Sequence, residues 1–336
     1  MNLKSFTRKS ITVSSVNLVK TNLLESDQHL PLVIQPAIDG VNLVSWASSN
    51  RDWIEKQLIQ YGGLLFRNFQ INTHSEFANF MQVVAGELIE YSYRSTSRSQ
   101  VDGKIYTSTE YPPDQSIPLH NEMAYSLNWP MKIAFFCVKA AEQGGETPIA
   151  DSRKVFQRID PKIKEQLIQK KIMYVRNYGQ GIDLSWETVF QTNDKAEVET
   201  YCQSAGIEFT WLDGNRLRTS QVCQAVATHP RTGDSIWFNQ AHLFHISSLK
   251  AEVRQSLLTI LKAEELPRNA YYGDGSEIES SMLEEIQQNY EQETVTFSWQ
   301  EGDILLLDNM LAAHGRKPFT GARKVLVGMA EPYTGQ

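Results

Sequence analysis

Apolar residues recur at helical spacing in five parts of the chain. The first part runs from Trp46 to Gln60 and is ended by Gly62-Gly63. A second helix is expected from about Glu76 to Ala85, with Ser75 as its N-cap. The other predicted helices are Arg153–Lys170, capped by Asp151 or Ser152, Lys250–Glu265 and Glu277–Tyr290.

Short apolar runs rich in β-branched and aromatic residues predict buried strands. They are Leu64–Phe66, Lys132–Lys139, 235–239, 303–308 and Lys324–Met329. Residues 91–118 are rich in Ser, Thr, Tyr and Pro and are expected to form strands joined by loops. The segment Asn177–Asn193, which combines polar residues with glycines and aromatics, is a candidate mobile loop.

The order of these segments indicates the fold class. Strands and helices do not alternate regularly, and neither GxGxxG nor GxxxxGK[ST] occurs, which disfavours nucleotide-binding α/β folds. We therefore predict a mainly β protein, a sandwich or jelly roll with peripheral helices. Because no linker is evident, residues 1–336 are expected to form one domain, with 1–45 as an N-terminal extension packing on the core.

Charge and composition limit the classes of partner that we expect for this protein. The 336 residues are 41% hydrophobic and 21% charged, as in soluble globular proteins, and the net charge of -7 disfavours nucleic acid as a partner. No apolar run is long enough to span a membrane, and the N-terminus lacks the apolar core of a secretory signal. Cys137, Cys202 and Cys223 form no disulfide pattern. We expect a cytoplasmic protein with reduced thiols.

Three residues stand out as candidate metal ligands. His120 and Glu122 are two apart, so in an extended segment both side chains point the same way. His314 follows an apolar strand and is placed where that strand would end at a cavity. Two imidazoles and one carboxylate on one face of a metal are typical of non-heme Fe(II) sites that activate oxygen. On spacing alone, a buried hydrogen-bonded pair and a core histidine explain the same residues.

A resemblance to a known family favours the metal site over these alternatives. The segment HNEMAYSLNWPMKIAFFCVKAAEQGGETPIADSRKVF (residues 120–156) and the segment DNMLAAHGRKPFTGARKVLVGM (308–329) resemble the TauD/TfdA family of Fe(II)/2-oxoglutarate oxygenases. GGLLFRNF (62–69) and HPRTGDSIWFNQAHLFH (229–245) resemble the branch of the syringomycin-type amino-acid hydroxylases. The resemblance implies a double-stranded β-helix, the cupin-like jelly roll, with Fe(II), 2-oxoglutarate and O2 as its reactants.

The resemblance also implies roles for individual residues. His120, Glu122 and His314 would hold the iron, with Glu122 where the taurine enzyme has aspartate. Thr147 would contact 2-oxoglutarate, and Arg323 would clamp its distal carboxylate, with Arg316 as the alternative clamp or a substrate contact. The remaining candidates for the substrate pocket are Asn239, Tyr125, Arg98 and Thr109.

The implied reaction is hydroxylation of an unactivated C–H bond, with release of succinate and CO2. Related halogenases lack the carboxylate ligand, so Glu122 favours hydroxylation, with desaturation or cyclisation as alternatives. The branch implies an amino acid, free or bound to a carrier protein, in specialised-metabolite synthesis.

Several alternatives stay open. A catabolic dioxygenase of a small carboxylate or sulfonate is one, although Val327 falls where the taurine enzyme has its sulfonate-binding arginine. An inactive binding module is another, and a zinc hydrolase is disfavoured by the absence of HExxH. His229, His242 and His245 are expected to be structural. The oligomeric state is left open, a homo-oligomer included.

Overall fold

The structure, a computed structural model, describes residues 15–25, 28–91, 93–179 and 181–335. Residues 1–14 of the expected N-terminal extension therefore lie outside it. The strands are β1 Val19–Leu23, β2 Leu32–Pro36, β3 Gly63–Phe66, β4 Gln100–Asp102, β5 Ile105–Thr107, β6 Ile117–His120, β7 Asn128–Lys139, β8 Gln143–Gly144, β9 Ile149–Asp151, β10 Ile172–Tyr178, β11 Glu208–Leu212, β12 Arg216–Cys223, β13 Val226–Thr228, β14 Ser235–Trp237, β15 Arg268–Tyr272, β16 Ile304–Asp308, β17 Ala312–Arg316, β18 Phe319–Thr320 and β19 Lys324–Thr334.

The helices surround the strands. They are α1 Leu43–Ser49, α2 Arg51–Tyr61, α3 His74–Ala85, α4 Ser152–Arg158, α5 Pro161–Lys170, α6 Trp186–Phe190, α7 Lys195–Ala205, α8 Ala241–Phe244, α9 Ala251–Ile260 and α10 Ser280–Gln292. In the ranges that the structure describes, none of these helices is long and apolar enough to cross a membrane.

One large sheet organises the fold, with strand order β1-β2-β3-β16-β7-β19-β5-β4. Its central strands are apolar on both faces. Phe135 of β7 and Leu305 of β16 belong to one hydrophobic cluster, whereas their neighbours Phe136 and Leu306 belong to another, which includes the buried residues of α1, α2 and α3. Because successive side chains of a strand point to opposite faces, a sheet covered on both sides produces the continuous apolar runs seen in the sequence.

A smaller sheet, β6-β17-β9, packs on one face of the large sheet. The ring centroids of Phe135 in β7 and His314 in β17 are 5.0 Å apart. A third sheet, β11-β12-β10-β15, and the pairs β13-β14 and β18-β8 complete the mainly β architecture. The predicted mainly β, jelly-roll fold with peripheral helices is confirmed.

Part of the expected N-terminal extension joins the large sheet. β1 pairs antiparallel with β2, and β2 pairs in parallel with β3, with Val33 opposite Leu65. β1 and β2 therefore extend the large sheet, with β1 at its edge.

Two predicted helices are each divided in the structure. Asn50 (φ -132°, ψ 27°) separates α1 from α2 within the segment predicted as one helix. Ile159 is extended and Asp160 caps α5, whose first residue is Pro161. Proline is tolerated at the first helical position but not in a helix interior, so the chain breaks there.

Two smaller details also differ from the sequence prediction. Thr73, not Ser75, caps α3, because its hydroxyl accepts from the main-chain N–H of Glu76 while the Glu76 carboxylate accepts from the N–H of Thr73. The candidate loop Asn177–Asn193 contains the end of β10 and helix α6.

Candidate active site

Strand pairing brings two histidines together. His120 ends β6 and lies directly opposite His314 in the antiparallel β17, with their ring centroids 4.7 Å apart. The next residue, Gly315, allows this close approach, because a Cβ there would lie 2.5 Å from the carbonyl oxygen of Ile117. The register of β6 and β17 therefore places two imidazoles side by side.

The third member of the group is Glu122. Its carboxylate Oε2 lies 4.0 Å from Nε2 of His314, and ligand atoms of His120, Glu122 and His314 all lie within 4.8 Å of one another. Nδ1 of His120 is 2.8 Å from the carbonyl oxygen of Pro118, to which it donates when it carries the proton. That hydrogen bond leaves Nε2 as the atom with a free lone pair.

Burial keeps these imidazoles in the form that binds metals. Desolvation lowers the pKa of His314 well below its usual value, and the pKa of His120 is lowered for the same reason. Nδ1 of His314 is buried without a hydrogen-bond partner among the described residues. Two neutral imidazoles and a carboxylate around one possible metal position fit a 2-His-1-carboxylate iron site.

The main chain of Glu122 is held by Asn309. The N–H of Glu122 donates to Oδ1 of Asn309 (2.7 Å), and Nδ2 of Asn309 donates to the carbonyl oxygen of Glu122 (2.9 Å). The neighbouring Asn121 is buried and donates to the carbonyl oxygen of Asn309 (2.7 Å). The turn after β16 thus holds the main chain from which the Glu122 carboxylate projects.

The cavity beside these ligands extends towards Thr147 and Arg323, which also line it. Oγ1 of Thr147 accepts a hydrogen bond from Nε1 of Trp299 (3.1 Å). The guanidinium of Arg323 donates from Nε to the carbonyl oxygen of Gly145 (2.9 Å) and from Nη1 to Oγ of Ser108 (3.3 Å). In the described part of the chain, Nη2 has no acceptor and remains available to a ligand. Burial and nearby Arg316 lower the pKa of Arg323 to about 10.

The other candidate arginine, Arg316, donates its hydrogen bonds to main-chain carbonyl oxygens of the protein. Nη1 of Arg316 donates to the carbonyl oxygen of Tyr111 (2.9 Å), and Nη2 donates to those of Pro112 (2.6 Å) and Gln115 (2.7 Å). Arg316 borders the cavity but its guanidinium secures the loop that precedes β6. Both terminal nitrogens of Arg316 therefore brace this loop, whereas Arg323 keeps one terminal nitrogen without an acceptor among the described residues.

The four remaining substrate candidates divide into two pairs. Arg98 and Thr109 line the cavity. Tyr125 is buried and its hydroxyl donates to the carbonyl oxygen of Tyr93 (2.9 Å). Asn239 is also buried, and its Nδ2 donates to the carbonyl oxygen of Ala225 (2.8 Å). The structure does not bring Tyr125 and Asn239 to this cavity, because internal hydrogen bonds hold both side chains in the core.

His229 and His242 make separate hydrogen bonds within the protein. Nε2 of His229 is 3.1 Å from Oδ2 of Asp308, and Nδ1 accepts from the main-chain N–H groups of Arg231 and Thr232. Nε2 of His242 is 3.0 Å from the carbonyl oxygen of Leu119, and burial lowers its pKa to about 4. These contacts are those of structural histidines.

Three further residues of the site, Asn309, Trp299 and Ser108, are not among the site residues predicted from the sequence. Asn309 follows a buried apolar strand, and a polar residue at such a strand end was the available signal. Trp299 and Ser108 approach Thr147 and Arg323 only through the packing of distant segments. No local pattern marks them.

Comparison with known proteins places the chain in a family. A family model described as "Taurine catabolism dioxygenase TauD, TfdA family" matches residues 26–330. The chain is 45% identical over 310 residues to the dapdiamide synthesis protein DdaC of Enterobacter agglomerans, covering 89% of this chain and 94% of that protein. It is 28% identical over 311 residues to a clavaminate synthase-like protein of Arabidopsis thaliana, covering 88% and 89%.

Solved structures share the fold. PvcB, described as an Fe, alpha-ketoglutarate dependent oxygenase from an isonitrile synthetic pathway, superposes with a TM-score of 0.54 at 15% identity, covering 97% of this chain and 94% of that one. The family match over residues 26–330 and the 45% identical relative confirm the family predicted from the sequence motifs. The chain belongs to the TauD/TfdA family of Fe(II)/2-oxoglutarate-dependent dioxygenases.

Proposed function

We propose that His120, Glu122 and His314 hold Fe(II) and that Thr147 and Arg323 hold 2-oxoglutarate beside it. The observation that carries this proposal is the convergence of ligand atoms of His120, Glu122 and His314 within 4.8 Å. The two histidines also line a cavity that presents the partly unpaired guanidinium of Arg323. When bound, iron with 2-oxoglutarate and O2 supplies an oxidant that removes hydrogen from an unactivated C–H bond, leaving succinate and CO2.

The protein's own part is to orient and to exclude water. Arg323 is fixed by Gly145 and Ser108, so its remaining N–H groups are aimed before a carboxylate arrives. A Cβ on Gly145 would lie 2.9 Å from Cδ of Arg323, so glycine lets the arginine pass close to the chain. Trp299 orients the Thr147 hydroxyl, because its indole N–H occupies a lone pair of Oγ1 and directs the proton elsewhere.

For the substrate we propose an amino-acid-related molecule in specialised-metabolite biosynthesis, hydroxylated at carbon. The support is the 45% identical relative, whose name places it in dapdiamide synthesis, together with the sequence resemblance to amino-acid hydroxylases. A biosynthetic role is thus favoured over catabolism of a sulfonate. Succinate release measured with free amino acids and with the same acids as pantetheine thioesters separates a free substrate from a carrier-bound one.

The metal and co-substrate assignment is tested without knowing the substrate. Anaerobic protein is mixed with Fe(II) and 2-oxoglutarate, and the weak visible charge-transfer band of the family is recorded. We expect the band in the wild type and in His74→Ala, whose side chain is exposed, and its loss in His314→Ala. A band that persists in His314→Ala contradicts the ligand assignment. No band with iron unbound favours a binding module, and zinc in the purified protein favours a hydrolase.

A further inference from the structure

Arg98 is a buried arginine with more hydrogen-bond donors than the protein uses. Its side chain is 3% exposed, and Nη2 donates to Oε2 of Glu122 at 2.5 Å. Nε and Nη1 are buried and have no acceptor among the described residues. A buried charged donor without an acceptor is costly, so this arrangement calls for another acceptor at the same place.

The position of Arg98 defines where that acceptor would lie. Arg98 lines the same cavity as His120 and His314, and its guanidinium carbon lies 4.5 Å from the centre of the Tyr91 ring. The ring supports one face of the guanidinium. Because Nη2 already contacts Glu122, a group bound by the rest of this guanidinium lies next to the metal position.

The segment that carries Arg98 is held firmly on several sides. Arg94 donates to the carbonyl oxygens of Tyr91 (3.0 Å) and Arg98 (3.3 Å), and to the side chain of Gln191 beside α6 (2.7 Å). Arg176 donates to the carbonyl oxygen of Arg94 (2.9 Å). A receptor held in place before binding loses little entropy when the ligand arrives.

We propose that Arg98 binds a free carboxylate of the substrate beside the iron. The inference rests on the proposed function, and it narrows the substrate to an acid whose carboxylate near the reacting carbon is not esterified. A carboxylate is an acceptor with a negative charge, so it satisfies the remaining N–H groups and supplies the charge that Arg98 loses when a metal engages Glu122. A thioester or amide carbonyl accepts hydrogen bonds but leaves that charge unbalanced.

The test uses full-length protein with Fe(II) and saturating 2-oxoglutarate, under anaerobic conditions. Propionate is the probe and propionamide, its neutral isostere, is the control; both are titrated at constant ionic strength while Tm is recorded. We expect propionate to raise Tm in the wild type and propionamide to have no effect. In Arg98→Gln the apparent Kd of propionate should rise at least tenfold, and in Arg98→Lys by less. Arg158→Gln, which removes an arginine paired with Glu293 outside the cavity, should behave as the wild type.

The charge-transfer band is recorded first in every sample, so two failures are told apart. No band in the wild type overturns the iron site and this inference with it. A normal band with equal propionate binding in wild type and both Arg98 variants overturns the inference alone. A third outcome would also overturn the inference. It is a normal band in the wild type, no effect of propionate, and 2-oxoglutarate binding that is tenfold weaker in Arg98→Gln, which would assign Arg98 to the co-substrate. Arg98→Lys provides the comparison where Arg98→Gln fails to fold.

Discussion

The side-chain amide of Asn309 binds the main chain of Glu122 through two hydrogen bonds: its Oδ1 accepts from the N–H of Glu122, and its Nδ2 donates to the carbonyl oxygen of Glu122. Nδ2 of Asn309 also donates to the carbonyl oxygen of Pro130 (2.8 Å). Asn309 is fully buried, so removing its side chain leaves buried main-chain groups of Glu122 and Pro130 without these partners.

We therefore expect Asn309→Ala to weaken Fe(II) binding by about 10–100-fold, the usual effect of losing a residue that positions a ligand. Stability should fall by about 1–3 kcal/mol, since buried main-chain groups lose their partners. Iron titration and urea unfolding measure the two effects. Asn128→Ala removes an exposed bond to Thr334 and serves as the control. Unchanged iron affinity in Asn309→Ala would show that Glu122 is positioned without it.

Arg323 and Arg316 are expected to respond differently to substitution. Arg323→Gln should raise the concentration of 2-oxoglutarate needed for half of the charge-transfer band by about 10–100-fold, because a charge-assisted bond worth about 1.5–3 kcal/mol is lost. Fe(II) binding should persist, since Arg323 touches none of the three proposed ligands.

Arg316→Gln should instead lower Tm, because three carbonyl oxygens in the loop before β6 lose their donor. Its effect on 2-oxoglutarate binding should be the smaller of the two. The reverse order of effects on 2-oxoglutarate binding would make Arg316 the clamp.

Trp299→Phe isolates the orientation of Thr147. The substitution removes one donor to Oγ1 and keeps most of the buried aromatic area. We expect KM for 2-oxoglutarate to rise severalfold, as expected for one neutral hydrogen bond of about 1 kcal/mol. In a Thr147→Val background the same substitution should have no further effect. Additive effects would show that the two residues act separately.

The thiols should be silent in the folded protein. Burial raises the pKa of Cys137 to about 12 and that of Cys202 to about 11, and it raises the pKa of Cys223 as well. A raised pKa means little thiolate at pH 8, and none of the three side chains is accessible. A thiol-specific disulfide reagent should react with none of them in native protein and with all three in guanidinium chloride. Rapid reaction of any one in the native state would contradict this burial.

Local patterns were sufficient for much of this molecule. The continuous apolar runs at Lys132–Lys139 and 303–308 predicted strands, and the structure explains their lack of alternation by covering the sheet on both faces. The spacing of His120 and Glu122 predicted that both side chains point the same way from an extended segment. The structure does bring their ligand atoms within 4.8 Å, but β6 ends at His120 and a turn, not strand alternation, places Glu122.

Side-chain positions that depend on contacts between distant segments could not be predicted from the sequence. The loop before β6 occupies Arg316, and nothing in the residues around Arg316 indicates this. Tyr125 and Asn239 looked available as polar side chains near the motifs, but each is turned into the core by a main-chain carbonyl elsewhere in the fold. The helix breaks at Asn50 and Asp160 are local features, and only the second is marked in the sequence by a proline, Pro161.

The pairing of β6 with β17 has a consequence for how the protein matures. Two of the proposed iron ligands, His120 and His314, lie on strands separated by more than half of the chain, so a growing polypeptide cannot complete the site until His314 has left the ribosome. Because the site is complete only when β17 has paired with β6, we expect the full affinity for iron to appear late in folding. A bound metal would clasp the two strands together, and resistance to unfolding should increase with the iron supply of the cell.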